Sequence, residues 1–274
     1  MLVIHHDDLD GKCAAAIMQY AQPSKSVEFY PIQYGDDFSP DITKDRVVAI
    51  LDFSFKPDVM SKIVENAERV IWCDHHKTAK DYNYNVDGFC DFSEKGLAGC
   101  ECTWKWCFGD SQRQVPKAVT LIGDYDAWRH EHAPETTQFY EGLKTFQEPL
   151  TELWQILFDE KASIIQSIID RGDICIQYRD QYCQHLLSKY SYQTSIDGVN
   201  AIALNVQSFG SNAFGEAFHE YPICIAYIYN GSQYVVSLYS KSVDVSLIAK
   251  KFGGGGHKGA AGFTCETLPF VEEK

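Results

Sequence analysis

The feature that most constrains the fold is an alternation of short apolar runs with helix-like segments in the first half of the chain. The apolar runs cover residues 2–4, 27–32, 47–51 and 70–73. Between them, residues 12–21 are rich in alanine, and residues 57–67 carry apolar side chains at helical spacing behind Pro57, which suits a first helical turn. Strands that alternate with helices predict a parallel sheet.

Acidic and histidine side chains follow several of these runs. The first run leads into HHDDLDG at residues 5–11, the third is followed by Asp52, and the fourth leads into DHH at residues 74–76. Asp124 closes a further apolar run at residues 119–123. Ligands of parallel sheets bind beyond the carboxyl ends of the strands, so we expect these groups to converge at one sheet edge.

The segment HHDDLDG does not fit two common loop motifs. A calcium-binding loop would place its first ligand at His6 and its terminal Glu at Ile17. A phosphate-binding P-loop would need Ser or Thr at Cys13 and Gly at His6. Taken alone, the segment would be a solvated acidic turn.

The other strand ends favour a metal site instead. Buried carboxylates are costly unless they are paired or bind metal. Five of the nine histidines fall in three short stretches, namely His5, His6, His75, His76 and His257. Carboxylate and imidazole ligands together suit borderline divalent ions such as Mn²⁺, and two such ions can clamp both oxygens of a phosphoryl displacement.

The rest of the chain predicts a helical middle and a second, smaller α/β part. Residues 97–108, 116–127 and 151–190 have helical spacing, whereas residues 223–229 and 233–239 predict strands around an Asn230-Gly231 hairpin turn. A helix over 244–252 with Asp244 as N-cap is followed by a glycine run and a strand-like segment at 260–264. We expect a domain boundary between residues 130 and 195.

Charge and cysteine usage exclude several classes of protein. The formal net charge is −14, which disfavours long duplex DNA as a partner but not a phosphate held through metal ions. No apolar run reaches the length of a membrane span, and the first residues are too short for a signal-peptide core. We therefore expect a cytoplasmic protein without a membrane partner, whose ten cysteines are mostly small, reduced, buried residues.

The combination H-x-D-x-D-G, a strand-end Asp, D-H-H, a later Asp and a C-terminal G-G-G-H resembles the DHH phosphoesterase superfamily. Within it, the sequence is similar to the branch with a C-terminal DHH-associated domain. The motifs run from His6 to Phe263. The resemblance implies an α/β protein of two lobes, with the active site in the cleft between them. The expected parts are a catalytic DHH domain (1–135), a helical connector (136–194) and a substrate-binding domain (195–274).

The resemblance also assigns roles to residues. It implies that one ion is held by His6, Asp8 and Asp52, and a second by Asp10, Asp52, His75 and Asp124, with Asp52 bridging. His5 competes with His6, and His6 is preferred. The resemblance implies that His76 contacts the substrate phosphate or handles a proton, so His76 and Asp52 are the expected catalytic residues. Asp74 is expected to orient a histidine, whereas Asp7 and Asp126 are expected to be solvated or to act behind the ligands.

The glycine run has a physical account of its own. Glycine allows a backbone to approach a ligand closely, and its exposed N–H groups can form an anion-binding nest. We expect this loop to bind substrate through Gly254, Gly255, Gly256, His257 and Lys258. Related sequences often carry an Arg in the preceding strand, near the position of Tyr239 here. Tyr239 could stack on a base or pack in the core, and packing is preferred.

The expected activity is Mn²⁺-dependent phosphohydrolysis by two metal ions, with Mg²⁺ or Co²⁺ as substitutes. The expected partners are small phosphorylated substrates or short single-stranded oligonucleotides, and a homodimer is one option for the oligomeric state. One alternative is a polyphosphatase or pyrophosphatase. Another is a non-catalytic module that binds nucleotide or metal.

Overall fold

The structure is a computed structural model that describes residues 1–24, 26–111, 113–147 and 151–270, without the side chain of residue 151. Residues 148–150 of the expected connector and 271–274 of the expected C-terminal domain lie outside the described part. Contacts divide the chain into two units, Met1–Ile174 and Cys175–Lys274. The boundary between the units falls inside the expected helical connector.

The first unit is built on a five-stranded parallel sheet. Its strands are β1 (Leu2–His6), β2 (Glu28–Ile32), β3 (Val47–Leu51), β4 (Arg69–Asp74) and β5 (Asp87–Cys90). They lie in the order β2-β1-β3-β4-β5, and every neighbouring pair is parallel. The alternation of strand-like and helix-like segments therefore predicted the sheet correctly.

Helices connect and cover these strands. They are α1 (Leu9–Ala21), α2 (Pro57–Asn66), α3 (Gly99–Phe108), α4 (Lys117–Asp126), α5 (Glu135–Leu143), α6 (Thr151–Phe158) and α7 (Ala162–Tyr190), which continues into the second unit. The helical stretch expected over 151–190 consists of two helices, because the chain turns between α6 and α7. The short strand β5 was not predicted.

Both faces of the sheet are buried, as a parallel sheet requires. Along β1, Val3 packs in a cluster with α1, α3 and α4, whereas Leu2 and Ile4 pack on the opposite face with Met60 and Ile63 of α2. With its sides covered by helices, this sheet leaves the ends of its strands as the place for polar groups.

The second unit contains a six-stranded mixed sheet. Its strands are β6 (Tyr192–Ile196), β7 (Val199–Asn205), β8 (Ile223–Tyr229), β9 (Tyr234–Tyr239), β10 (Gly255–His257) and β11 (Ala260–Cys265), in the order β10-β11-β9-β8-β7-β6. A short α8 (Ala217–Glu220) precedes β8, and α9 (Val245–Lys251) lies between β9 and β10. The backbone N–H of Ser246 donates to the side chain of Asp244, which confirms the expected N-cap.

The ten cysteines, all within the described residues, are free, and six of them are buried. This agrees with their expected role as small core residues. Across the described residues, no helix is both long enough and apolar enough to cross a membrane.

Candidate metal centre

Three neighbouring strands carry the polar groups to one edge of the first sheet. His6 is the last residue of β1, Asp52 directly follows β3, and His75 and His76 follow Asp74 at the end of β4. Because β3 lies between β1 and β4, Asp52 stands between the histidines of its two neighbours. The expected convergence of strand ends is therefore present in the structure.

Asp52 sits in a conformation that fixes its side chain. Its φ is +53°, in the left-handed region that Asp tolerates better than most residues, and its N–H donates to the carbonyl of Cys73 at 2.8 Å. Gly99, at the start of α3, approaches it closely, since a Cβ there would lie 2.5 Å from Asp52 Cβ and 2.7 Å from Asp52 Oδ1. A glycine at position 99 is thus needed for the approach of α3 to this carboxylate.

The side chains form three groups whose ligand atoms lie within 4.8 Å of one another. These groups are His6 with Asp8 and Asp52, Asp52 with His75 and His76, and Asp10 with His75 and Asp126. Asp52 Oδ2 lies 3.6 Å from His6 Nδ1, and Asp52 Oδ1 lies 3.2 Å from His75 Nε2. One carboxylate therefore directs its two oxygens to two different sets of ligands.

Several of these atoms lack a well-oriented hydrogen-bond partner. Both carboxylate oxygens of Asp52, together with His6 Nδ1 and His75 Nε2, are buried and make no well-oriented hydrogen bond with a described residue, although acidic and histidine atoms of the cluster lie within 2.8–3.6 Å of one another. Buried polar atoms normally have well-oriented partners, so four buried ligand-type atoms without one at the same place indicate a further partner. Their oxygen and nitrogen chemistry fits a borderline divalent cation.

The electrostatics of the cluster also fit a cation. Burial lowers the pKa of His6, but the adjacent carboxylates of Asp52 and Asp8 outweigh burial and raise it to about 10. For His75, the carboxylates of Asp126 and Asp52 likewise outweigh burial and raise the pKa to about 12. Burial raises the pKa of Asp52 itself. The excess negative charge of the carboxylates thus favours protonated rings at His6 and His75. The same charge favours a metal ion, which would displace the ring protons when it binds.

Helix ends hold two of the carboxylates in place. Asp8 is the N-cap of α1 and accepts from the N–H of Gly11 at 2.9 Å. Asp10 accepts from the first N–H groups of α3, those of Gly99 at 2.7 Å and Cys100 at 2.9 Å. Helix N-termini stabilise anions, which offsets part of the cost of burying Asp10.

Asp74 orients His76 and does not join the ligand groups found among the described residues. His76 Nδ1 lies 2.7 Å from Asp74 Oδ1, and the hydroxyl of Ser54 donates to the other oxygen of Asp74. This places the carboxylate behind the histidine, as the sequence led us to expect. With Nδ1 facing Asp74, the Nε2 atom of His76 is left to act on a ligand.

The structure does not place Asp124 in any of the three groups. Its carboxylate accepts from the N–H of Glu131 at 2.9 Å, the N–H of His132 at 3.1 Å and the hydroxyl of Thr136. Asp126 is the residue that approaches the site, with Oδ2 at 3.1 Å from His75 Nε2. The assignment of Asp124 as a ligand is corrected by this geometry.

The reason for the correction is helical geometry. Asp124 lies in α4 and not at a strand end, and residues two apart on a helix point roughly 200° apart, at 100° per residue. Asp124 and Asp126 therefore cannot both face the sheet edge. The predicted helix over 116–127 already implied that only one of the two carboxylates could face the sheet. The sequence did not indicate which of them it was.

Other predicted residues lie as follows. His5 is buried, its Nδ1 lies 2.7 Å from the carbonyl of His6, and it belongs to none of the ligand groups found among the described residues. Tyr239 packs in a cluster of the second unit, 6.4 Å from the ring of Phe214. The predicted glycine-loop residues lie in the second unit, where His257 and Lys258 are exposed.

Two aromatic residues near the site were not predicted. Tyr34 stacks on Phe53 at 4.4 Å between ring centroids, and its ring lies 5.5 Å from that of His76. Trp128 follows α4 and is 74% exposed. Neither position belongs to a sequence pattern that marks a site, so only the fold reveals them.

An ion pair whose two side chains are each 11% exposed holds the turn that carries Asp126 and Trp128. The guanidinium of Arg129 donates to both carboxylate oxygens of Glu101 at 2.8–2.9 Å and to the carbonyl of Gly96 at 2.6 Å. The turn after α4 is therefore tied to the start of α3.

Residues 1–122 match the model of the DHH family, N-terminal domain. This part of the chain is a DHH family domain. The matched region contains the strand ends that bring together His6, Asp52, His75 and His76, whereas Asp126 lies just beyond it. The site of the DHH domain thus also draws on the residues that follow the matched region.

Three known proteins resemble this chain beyond the DHH domain. An uncharacterized protein of Acanthamoeba polyphaga mimivirus is 28% identical over 238 residues, which are 81% of this chain and 54% of the relative. The chain thus spans about half the length of that relative. The pGpG-specific phosphodiesterase PggH from Vibrio cholerae is 13% identical with a TM-score of 0.58, over 97% of this chain and 93% of that chain. The exonuclease RecJ bound to manganese is 13% identical with a TM-score of 0.56, over 96% of this chain and 84% of that chain. At these identities the two structures show a shared fold.

Proposed function

We propose that this chain is a divalent-metal-dependent phosphohydrolase that cleaves phosphoester bonds in small nucleotides or short single-stranded oligonucleotides. The observation that carries the proposal is Asp52, whose two buried oxygens lack well-oriented hydrogen bonds and point to two sets of ligands. A bridging carboxylate of this kind suits a two-metal phosphoryl-transfer site. The manganese named for RecJ and the pGpG substrate named for PggH add support from proteins of the same fold.

The proposed metal ligands combine the two groups that share His75 and leave His76 for the substrate. His6, Asp8 and Asp52 would hold one ion, and Asp10, Asp52, His75 and Asp126 would hold the second. Mn²⁺ is the proposed metal, with Mg²⁺ or Co²⁺ as substitutes, because carboxylate and imidazole ligands suit it. When bound, such ions polarise a phosphoryl group and lower the pKa of a coordinated water.

The chain's own residues would position the substrate. His76, held by Asp74 through Nδ1, presents Nε2 to a phosphate oxygen or to a proton in transfer. Gly254, Gly255, Gly256, His257 and Lys258 are proposed to bind substrate through backbone N–H groups and two exposed side chains. The net charge of −14 favours small substrates gripped locally over long duplexes.

The test is a hydrolysis screen with the full chain in Mn²⁺. It should include dinucleotides, 3′-phosphoadenosine 5′-phosphate, longer single strands and polyphosphate. We expect turnover of the dinucleotide or the small nucleotide, and loss of more than about 100-fold in Asp52→Asn, since losing even a residue that orients a metal ligand commonly costs about 10- to 100-fold.

Asp45 offers a matched control. It is an exposed Asp with a φ of +56°, so Asp45→Asn repeats the same change in the same backbone conformation away from the site. Asp45→Asn should retain wild-type turnover. Polyphosphate as the preferred substrate would replace the nucleotide assignment, and bound metal without turnover of any substrate would favour a binding module.

A further inference from the structure

A cavity of about 380 Å³ opens beside the metal centre, entirely within the first unit. His75, His76 and Asp126 line one part of it, and Lys77, Lys95 and Trp128 line another. Its volume is in the range of small-ligand sites, about 300–1,000 Å³. His75 and Asp126 are also proposed metal ligands, and His76 is the proposed phosphate contact. A molecule in the cavity would therefore lie next to both the metal ligands and the phosphate-binding histidine.

Trp128 is held in place although its side chain is mostly exposed. Its φ is +53°, which is uncommon for a bulky residue, and its N–H donates to the carbonyl of Tyr125 at 3.1 Å. The indole meets the ring of His130 edge-on at 5.3 Å and lies 6.4 Å from Tyr125, which stacks on Tyr140 at 3.7 Å. Aromatic contacts and a fixed backbone thus support a flat surface that remains open to solvent.

The turn around Trp128 is fixed from a second direction. The N–H groups of Arg129 and His130 both donate to the carbonyl of Asp124, at 3.1 and 3.3 Å. The Arg129–Glu101 pair joins the same turn to α3. A preformed platform of this kind binds with little loss of conformational entropy.

The cavity also offers cations next to the aromatic surface. Lys77 and Lys95 are exposed, and neither forms an ion pair with a described residue. The acidic residues of the same rim are Asp91 and Glu94. Both oxygens of Asp91 already accept hydrogen bonds, from Ser93 and from the N–H of Leu97.

We propose that this cavity binds a nucleobase of the substrate, which stacks on the indole of Trp128 while Lys77 and Lys95 contact its phosphate or ribose oxygens. The inference rests on the proposed phosphohydrolase function and names the part of the substrate that the site recognises. Stacking accepts any base, because every base has a π-face. The cavity therefore selects nucleotides over polyphosphate without reading a sequence.

The experiment compares the variants Trp128→Ala and Trp128→Phe with Trp106→Ala, which removes an exposed Trp outside the cavity. Each full-length protein is assayed in Mn²⁺ on a 5′-phosphorylated dinucleotide and on analogues made abasic at either position. For wild type, the KM of the intact dinucleotide should be lower than that of one abasic analogue by about 5- to 150-fold. This range corresponds to the stacking of one base. Trp128→Ala should lose this discrimination, Trp128→Phe should keep most of it, and Trp106→Ala should match wild type.

A binding measurement separates this inference from the proposed activity. AMP should quench the Trp fluorescence of the wild-type protein, and the quenched component should be missing in Trp128→Phe. If the wild type hydrolyses nothing but shows this Trp128-dependent quenching, the base site stands and the hydrolase proposal fails. If the Trp128→Ala enzyme discriminates as the wild type does, or if AMP quenches Trp128→Phe equally, the base site is refuted.

Discussion

Asp124 and Asp126 should give opposite results when each is changed to Asn. Asp124 accepts three hydrogen bonds from Glu131, His132 and Thr136 and is 1% exposed. An Asn there presents an amide NH₂ to at least one of these donors. An unsatisfied buried donor costs about 1–3 kcal/mol. Asp124→Asn should therefore lower the melting temperature by about 2–12 °C, at about 2–4 °C per kcal/mol for a unit of this size.

Asp126→Asn should leave the metal-free protein within about 1 kcal/mol of wild type, because the side chain is 25% exposed and the contact it would lose is a single partly exposed ion pair with His75. Its effect should appear on metal addition. At a Mn²⁺ concentration 100-fold above the wild-type Kd, binding stabilises the wild type by about 2.7 kcal/mol. An affinity lowered 100-fold would reduce this gain to about 0.4 kcal/mol.

The assay is thermal unfolding of the two variants with and without Mn²⁺. Asp124→Asn should melt lower while keeping most of the metal-induced rise, and Asp126→Asn should melt normally while losing that rise. The reverse pattern would show that Asp124 is the ligand and that Asp126 faces away from the metal.

Three further results follow from the structure. Gly99→Ala should cost about 1–3 kcal/mol in stability and weaken Mn²⁺ binding, because the added Cβ would push against Asp52. A wild-type stability together with a wild-type Mn²⁺ affinity in calorimetry would refute the close approach of Gly99 to Asp52. Arg129→Met leaves the Glu101 carboxylate, which is 11% exposed, without its ion-pair partner. This should cost up to about 3–5 kcal/mol in denaturant unfolding, the cost of breaking a fully buried pair. Adding Glu101→Gln should recover part of the loss, and no recovery would argue against the pair. Hydrogen bonds from Ser93 and Leu97 lower the pKa of Asp91, so the ionised carboxylate stabilises the fold above about pH 4, and this stabilisation is lost as the pH falls further. In Asp91→Asn, the free energy of unfolding should therefore fall less steeply below about pH 4 than in wild type. The same steepness in both proteins would contradict this role of Asp91.

The sequence allowed much of the site to be predicted, because strand ends in a parallel sheet have a common direction. His6, Asp52, His75 and His76 follow three such strands, and their positions depend on the period and order of the elements alone. In the second unit, the turn signal at Asn230-Gly231 predicted the antiparallel pair of β8 and β9.

The errors have local causes. The sequence does not distinguish Asp126 from Asp124, because the side chain that faces the site depends on the rotation of α4 about its axis, which the turn after the helix fixes through Glu131 and His132. The sequence does not mark Trp128, since an exposed aromatic in a loop has no periodic signature. Its surroundings are contributed by residues far apart in sequence, such as Lys77 and Lys95.

The central claim is that the strand ends of the DHH domain form a metal centre bridged by Asp52. Calorimetric titration of the metal-stripped full chain with Mn²⁺, compared with Asp52→Asn and the matched Asp45→Asn, tests it most directly. Wild type and Asp45→Asn should each bind two ions, whereas Asp52→Asn should lose tight binding. A wild-type isotherm in Asp52→Asn, or no Mn²⁺ binding by the wild type, would contradict it.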